Sequence, residues 1–305
     1  MDAGRLLEAI AAGGANGAAL ADRFGVSRTA VWKTMEQLRR EGVVIQGTAG
    51  EGYALVDPAG FGPQTLGWRL GRAVAFHDAC GSTNIEARTL ADAADDPAGI
   101  VVVADQQHAG RGRLGRSWDT EPGQNLLFSL ILTPPVLPQF APVCVLAWAA
   151  AMADELGCLV KWPNDLVTRD GRKLGGILAE LSSEAETIRY VVLGVGINAN
   201  QRDFPGLPQA TSLALERGGA IDRAEWLARL VTAVEAVSID PLPSLDGWRR
   251  RSHTLGKRVR VNGIEGVATD VREDGALLVD GQVVLAGDVE LVGSKNDRAP
   301  ANPER

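Results

Sequence analysis

The stretch Gly110-Arg111-Gly112-Arg113-Leu114-Gly115-Arg116-Ser117-Trp118 carries the spacing GxGxxG, and the residues after it decide the fold. A dinucleotide-binding fingerprint needs a helix that opens directly after the glycines and aims its N-terminus at a pyrophosphate. Here the chain passes through the proline and glycine of the 119–123 segment into Leu126-Leu127-Phe128-Ser129-Leu130-Ile131-Leu132, a β-like run. A Rossmann unit is set aside on that context. The stretch reads instead as a loop whose glycines free the backbone while Arg111, Arg113 and Arg116 converge on an anion, a phosphate or a carboxylate. The plain alternative is a solvated basic loop.

Outward from that loop, strand-like runs (Ile100 to Ala104, Leu126 to Leu132, Gly176 to Leu181, Tyr190 to Ile197) alternate with helical ones (Thr83 to Ala94, Pro138 to Leu156, Arg223 to Val237). The pattern predicts an α+β unit around a central mixed sheet over residues 66–250. Upstream, Leu6-Leu7-Ile10 and Leu20-Ala21-Phe24 give two short helical faces, and Ser27 is placed to cap a third helix through Val31, Met35 and Leu38. Gly42 stops that helix. Val43-Val44-Ile45 and Tyr53-Ala54-Leu55, joined by the turn Gly47 to Gly52, then form a wing, which makes residues 1–56 a winged helix-turn-helix. Residues 57–65, with prolines and glycines and no hydrophobic period, read as a linker. Short β-runs from Val259 to Leu285 predict a small SH3-like barrel over 251–293, and the polar segment 294–305 reads as a disordered tail.

A chain of 305 residues exceeds the roughly 100–200 residues of one domain, so several units are expected. Hydrophobic content of 45% with 23% charged residues is ordinary for a globular protein and excludes wholesale disorder. Cys80, Cys144 and Cys158 are an odd number without CxxC spacing, so neither a disulfide framework nor a zinc site is indicated, and a reducing cytoplasm is the expected location. The start lacks a basic region followed by an apolar core, and the apolar stretch from Pro142 to Ala153 falls short of the roughly 18–20 residues of a membrane span. A net charge of −7 confines any nucleic-acid contact to a local patch.

Three further blocks stand downstream of the loop: Lys161-Trp162-Pro163-Asn164-Asp165, Lys173-Leu174-Gly175-Gly176-Ile177-Leu178-Ala179-Glu180 and Gly194-Val195-Gly196-Ile197-Asn198. Lys161 and Lys173 are candidate ligands of a phosphate or carboxylate. Lys173 stands out because two glycines follow it, so its ammonium emerges beside backbone that a ligand can approach. Asp165 has three readings: general base, magnesium ligand, or turn residue after Pro163-Asn164. Trp118 has two, a ring packed under the loop or plain core. Ser82 and Thr83 are by default a helix cap. The glycines at 194 and 196 either let a flat base lie on the strand, with Asn198 beside it, or serve close sheet packing. No Ser/His/Asp constellation, GxSxG elbow or GxxxxGK[ST] run accompanies them.

Together the four blocks closely resemble the biotin protein ligases, and the whole chain resembles the bifunctional kind that also represses transcription. The resemblance implies an ATP-dependent ligase that makes biotinyl-5′-adenylate and transfers biotin to a lysine of a biotin carboxyl carrier domain. It implies biotin and ATP as ligands, with Mg2+ accompanying ATP, and no dedicated metal site. In that family Ser82, Thr83 and Asn84 match the run that hydrogen-bonds the ureido head of biotin, and Gln107 matches a glutamine near the ring. Gly110, Arg111, Gly112 and Gly176 complete the implied biotin site. Lys173 would bridge the biotin carboxylate and the α-phosphate, with Arg113 and Asp165 as further catalytic groups. Arg113, Trp118, Asn164, Lys173 and Asn198 would face the nucleotide.

Two rivals remain: a lipoate or octanoyl transferase on the same scaffold, disfavoured by the arginine-glycine loop, and a sensor that binds adenylate without ligating. For the N-terminal module, Arg28, Thr29, Trp32 and Lys33 on the third helix are the candidate DNA contacts. Residues 1–56 hold six Lys/Arg and six Asp/Glu, so a protein-contact module is the alternative. The resemblance implies operator DNA and a homodimer with adenylate bound.

Overall fold

The structure is a computed structural model that describes residues 1–13, 16–47, 52–118 and 120–292. The wing turn at 48–51 and the tail from Gly293 lie outside the described residues. Helices α1 (Ala3–Ala11), α2 (Gly17–Phe24) and α3 (Arg28–Arg40) lead into strands β1 (Val44–Gln46) and β2 (Ala54–Asp57). Ser27 caps α3 as its sequence predicts, its hydroxyl accepting from Ala30 N–H at 3.1 Å. Leu6, Leu7, Leu20, Val31, Met35 and Leu38 are fully buried in one small core. β1 and β2 pair antiparallel, Ile45 opposite Leu55, as a wing.

Helix α4 (Pro63–Leu70) joins this module to the next. Its N-cap residue, Gly62, has no side chain to satisfy the first-turn N–H groups. Glu41, at the end of α3, supplies the acceptor: its carboxylate receives Gln64 N–H at 3.2 Å, and Thr65 N–H and hydroxyl each at 2.8 Å. An anion at a helix N-terminus also meets the positive end of the helix dipole.

The central unit follows as β3 (Ala75–Cys80), α5 (Thr83–Ala93), β4 (Val101–Gln107), β5 (Leu126–Leu132), α6 (Ala141–Leu156), β6 (Leu159–Lys161), β7 (Asp165–Val167), β8 (Lys173–Glu184), β9 (Thr187–Ile197), α7 (Leu213–Arg217), α8 (Arg223–Glu235) and α9 (Asp246–Arg251). Seven strands form one mixed sheet in the order β3-β4-β5-β9-β8-β7-β6; β3 and β4 are parallel and the other pairs antiparallel. Alternate residues face alternate sides. Val101, Val103, Phe128, Leu130, Leu193 and Val195 pack with α6 and α8, whereas Val102, Ile131 and Val192 pack with Ala87 and Ala91 of α5. Burial on both faces is why β5 reads as a continuous apolar run.

The last strands, β10 (Arg258–Val261), β11 (Ile264–Val271), β12 (Leu277–Val279), β13 (Gln282–Val284) and β14 (Glu290–Leu291), form a five-stranded antiparallel sheet in the order β13-β12-β11-β10-β14. It docks on the central unit through Trp162, whose backbone N–H donates to Thr254 Oγ1 at 2.9 Å and whose indole N–H donates to Gly275 O at 3.1 Å. No helix among the described residues is long and apolar enough to cross a membrane.

Candidate active site

Two rows of paired residues make the floor of a cavity on the α5 side of the sheet. Strand register places Leu127, Gly196, Gly176, Asp165 and Lys161 in one row and Ser129, Gly194 and Leu178 in the next. Where neighbouring strands carry side chains, Gly194 and Gly196 carry none, and other groups occupy the space. A Cβ at Gly196 would lie 2.7 Å from the indole of Trp118, and one at Gly194 would lie within 2.9 Å of the Asn84 amide. Packing, not a turn, demands these two glycines.

The 110–118 loop closes over that floor. Trp118 N–H donates to Gly110 O at 2.9 Å and Gly112 N–H to Arg116 O at 2.7 Å, so the loop folds back on itself. Leu114 sits at its tip with φ of 57° and is 76% exposed. Trp118 thus takes the first of its two readings: half-buried, it lies under the loop and on Gly196, with the Lys173 ammonium 5.5 Å from its ring.

The cavity brings together Ser82, Thr83, Asn84, Gln107, Arg111, Gly112, Arg113, Trp118, Asn164, Asp165, Lys173 and Gly176. Two sequence candidates stand apart from its lining. Gly110 stands at the base of the loop, its carbonyl accepting Trp118 N–H at 2.9 Å, and Asn198 spends its amide on the carbonyl oxygens of Thr211 at 2.9 Å and Lys173 at 3.4 Å. Asn198 lies just past the end of β9 and outside the cavity lining.

At the α5 end, Ser82 occupies the N-cap position yet its hydroxyl makes no capping bond. Gln107 does that work: its Oε1 accepts Thr83 N–H at 2.7 Å and the Thr83 hydroxyl at 3.2 Å. The default capping role for Ser82 is therefore not what the side chain does. Because a backbone N–H can only donate, Gln107 Oε1 is held inward and its amide NH2 is left for the cavity side.

At the other end, Arg111, Arg113, Arg116, Lys161 and Lys173 face Asp165 and Asp288, five cationic side chains against two carboxylates. Lys173 Nζ is 2.7 Å from Asp165 Oδ1. Arg113 donates to Gly287 O at 3.2 Å and lies 3.5 Å from Asp288, and Arg116 ion-pairs with the same carboxylate. Burial pushes the Arg113 and Lys161 pKa values below their ordinary range, with Asp165 pulling each back up. Partly desolvated cations in excess over carboxylates make an anion receptor, since an arriving phosphate offsets the cost of their burial. Asp288 and Val289 come from the connection between β13 and β14 and carry no motif, so the sequence offered no signal for them. The cavity encloses about 150 Å³, below the roughly 300–1,000 Å³ of pockets that take a drug-sized ligand.

Comparison with known proteins accounts for this combination. Residues 83–198 match the biotin/lipoate A/B protein ligase family and residues 5–54 match a helix-turn-helix domain. The bifunctional ligase/repressor BirA of Bacillus subtilis is 33% identical over 309 aligned residues, spanning 90% of this chain and 93% of the relative. This chain belongs to the biotin protein ligase family. The Escherichia coli bifunctional ligase/repressor BirA is 32% identical across 87% of this chain and 88% of its own length. Among solved structures, the biotin protein ligase of Aquifex aeolicus in complex with biotin and ATP superposes with a TM-score of 0.54 at 29% identity, covering 72% of this chain and 96% of that one. In this ligase the matched family segment runs from Thr83 to Asn198, so it encloses the loop, both glycine rows and Lys173.

Proposed function

We infer that this chain is a bifunctional biotin protein ligase and transcriptional repressor, and that it works in three units bounded near residues 57–65 and 251. The observation that carries the ligase reading is the polarity of one cavity, with urea-compatible donors and acceptors at one end and five cations at the other. Biotin is a cyclic urea at one end and a carboxylate at the other, so its two ends match the two ends of the cavity.

In the first half-reaction a biotin carboxylate oxygen attacks the α-phosphorus of ATP, a P–O bond forms, and pyrophosphate leaves. The carboxylate is already ionised at neutral pH, with an ordinary pKa near 4–5, so no general base is needed. What is needed is relief of anion–anion repulsion, which falls to Lys173, Arg113 and Arg116, with Lys161 behind them. In the second half-reaction a neutral lysine amine attacks the acyl carbon, AMP departs, and the amine proton is lost. Asp165, 2.7 Å from Lys173, is the cavity residue proposed to orient that amine. Among the described residues no cluster of three His, Cys, Asp or Glu is set to hold a metal ion. Magnesium is proposed as the counter-ion of the ATP substrate. Asn164 and Trp118 are proposed on the nucleotide side, and Ser82, Thr83, Asn84, Gln107, Arg111 and Gly112 on the biotin side.

The repressor reading rests on α3. Arg28, Thr29, Trp32 and Lys33 are all exposed, Trp32 at 52%, while Val31, Met35 and Leu38 are buried behind them. An exposed tryptophan amid cations on a helix-turn-helix suits a DNA groove. Operator DNA, a carboxylase's biotin carrier domain, a homodimer formed with adenylate bound, and a cytoplasmic location complete the proposal. The test incubates the protein with labelled biotin, ATP and a carrier domain, and label should appear on the carrier only with ATP. Adenylate retention without transfer would leave a pure sensor, and octanoyl or lipoyl transfer would leave the other rival.

A further inference from the structure

Beneath the biotin end of the cavity a hydrogen-bond chain links Thr83, Asn84 and Gln107 to Ser129 and Glu180, two residues to which the proposed chemistry gives no role. The Asn84 amide nitrogen donates to Glu180 Oε2 at 2.8 Å and to Leu178 O at 3.3 Å. Its amide oxygen accepts from the Ser129 hydroxyl at 2.7 Å, and that hydroxyl also lies 2.8 Å from Thr83 Oγ1. Thr83 in turn is tied to Gln107 through its N–H and hydroxyl. Five side chains from α5, β4, β5 and β8 thus form one connected path, and Asn84, Thr83 and Ser129 are buried.

Direction matters in such a path, because an amide and two hydroxyls can each be turned either way and only fixed ends decide which. One end is fixed by the Thr83 backbone N–H, which can only donate. The other end is Asn84, whose amide would fit sterically in either orientation, since its oxygen and nitrogen have the same size. An ionised carboxylate and a carbonyl are both pure acceptors, so Glu180 and Leu178 hold the NH2 toward β8 and the oxygen toward Ser129. Glu180 is itself held by Arg88 at 2.9 Å, on the same helix as Asn84. Gly194 leaves the slot in which the Asn84 amide lies.

We propose that Glu180 is a positioning residue for biotin recognition: it sets the orientation of the Asn84 amide and so the proton order of the Ser129–Thr83–Gln107 path that lines the urea end of the cavity. Glu180 need not touch biotin, and it stands away from the cations that meet the phosphate. If Asn84 were turned over, its NH2 would face Ser129. The Ser129 hydroxyl would then have to accept there and give its proton to Thr83, and the donors and acceptors presented to a cyclic urea would change. The proposal rests on the ligase reading.

The experiment measures biotin-dependent pyrophosphate exchange by the full-length protein. Glu180→Ala leaves the Asn84 NH2 only its longer bond to Leu178 O and should raise the KM for biotin about tenfold, the effect expected when a buried amide loses its nearer, charged partner, while the KM for ATP and the rate at saturating biotin stay within about twofold. Glu180→Gln, whose amide oxygen still accepts from Asn84, should recover most of the biotin affinity. Asn84→Asp is the second probe. It sets two carboxylates against each other, so its biotin KM should improve as pH falls and the pair takes up a proton. A folded Glu180→Ala protein with unchanged biotin KM, or one whose ATP KM rises equally, overturns the positioning role. Lack of exchange by the unsubstituted protein would instead overturn the ligase reading.

Discussion

Lys173→Ala is the sharpest test of the anion end of the cavity. The ammonium is about a third exposed and lies 2.7 Å from Asp165 Oδ1. A unit charge about 4 Å from a phosphate oxygen contributes about 1 kcal/mol in bulk water and about 4 kcal/mol at the effective dielectric of a protein surface. With the loop closed the second figure is nearer. Removing the lysine also leaves Asp165 without its partner, facing the incoming triphosphate. A loss of about 3–4 kcal/mol corresponds to 10²–10³ in rate, the range found when one charge-stabilising donor is deleted. The double variant Lys173→Ala, Asp165→Asn removes the exposed carboxylate as well and should regain about tenfold. Biotin-dependent pyrophosphate exchange reads both values. Near-normal exchange by a folded Lys173→Ala protein, or a double variant no better than the single one, would refute the charge-pair argument.

Gly196→Ala should drive the Trp118 indole from its place, since the new methyl would lie 2.7–2.9 Å from ring atoms; trypsin should then cut faster after Arg111, Arg113 or Arg116, and an unchanged rate would deny Trp118 its anchoring role. Deleting residues 1–56 should abolish DNA binding and leave biotin transfer largely intact, and binding by the full chain should weaken steeply with salt. His253 supplies a pH dependence. Burial, then Lys257 and Lys161, depress its pKa from 6.5 to about 4. The folded protein therefore disfavours the charged ring: stability should be constant above about pH 6.5 and fall by about 3 kcal/mol between 6.5 and 4. His253→Asn should flatten that part of the curve, and a wild-type slope in the variant would exclude the histidine.

The groups that the sequence made legible are those whose chemistry is local. A glycine-arginine loop, a lysine followed by two glycines and a capped α3 each announce themselves within a few residues, and the structure places the first two around one cavity. Groups whose meaning depends on pairing across the sheet stayed hidden. Ser129 sits in an apolar run buried on both faces, so nothing marks it until Gly194 and Asn84 are seen beside it. Asp288 meets Arg116 across 172 residues of chain, from a segment that reads only as the end of a small β-unit. Asn198 shows the converse: the glycines before it suggest a base-binding strand, whereas the strand ends at Ile197 and the Asn198 amide donates to backbone carbonyls. Ser82 was legible as an N-cap by position, yet Gln107 supplies the capping oxygen from a strand away.

The three cysteines that excluded a disulfide framework have a practical consequence. All are free and buried, and burial pushes Cys80 and Cys144 up to about 11 and Cys158 to about 12. At pH 7.5 an ordinary thiol is ionised in roughly one molecule in ten, whereas one at 11 is ionised in on the order of one in several thousand. Alkylating dyes react through the thiolate, so the buried native thiols should label slowly, and mass analysis of the dye-treated unsubstituted protein checks it. Leu114→Cys, at the exposed tip of the loop, should carry nearly all of the label. A fluorophore there would follow the opening and closing of the loop in real time, without mutating any native thiol.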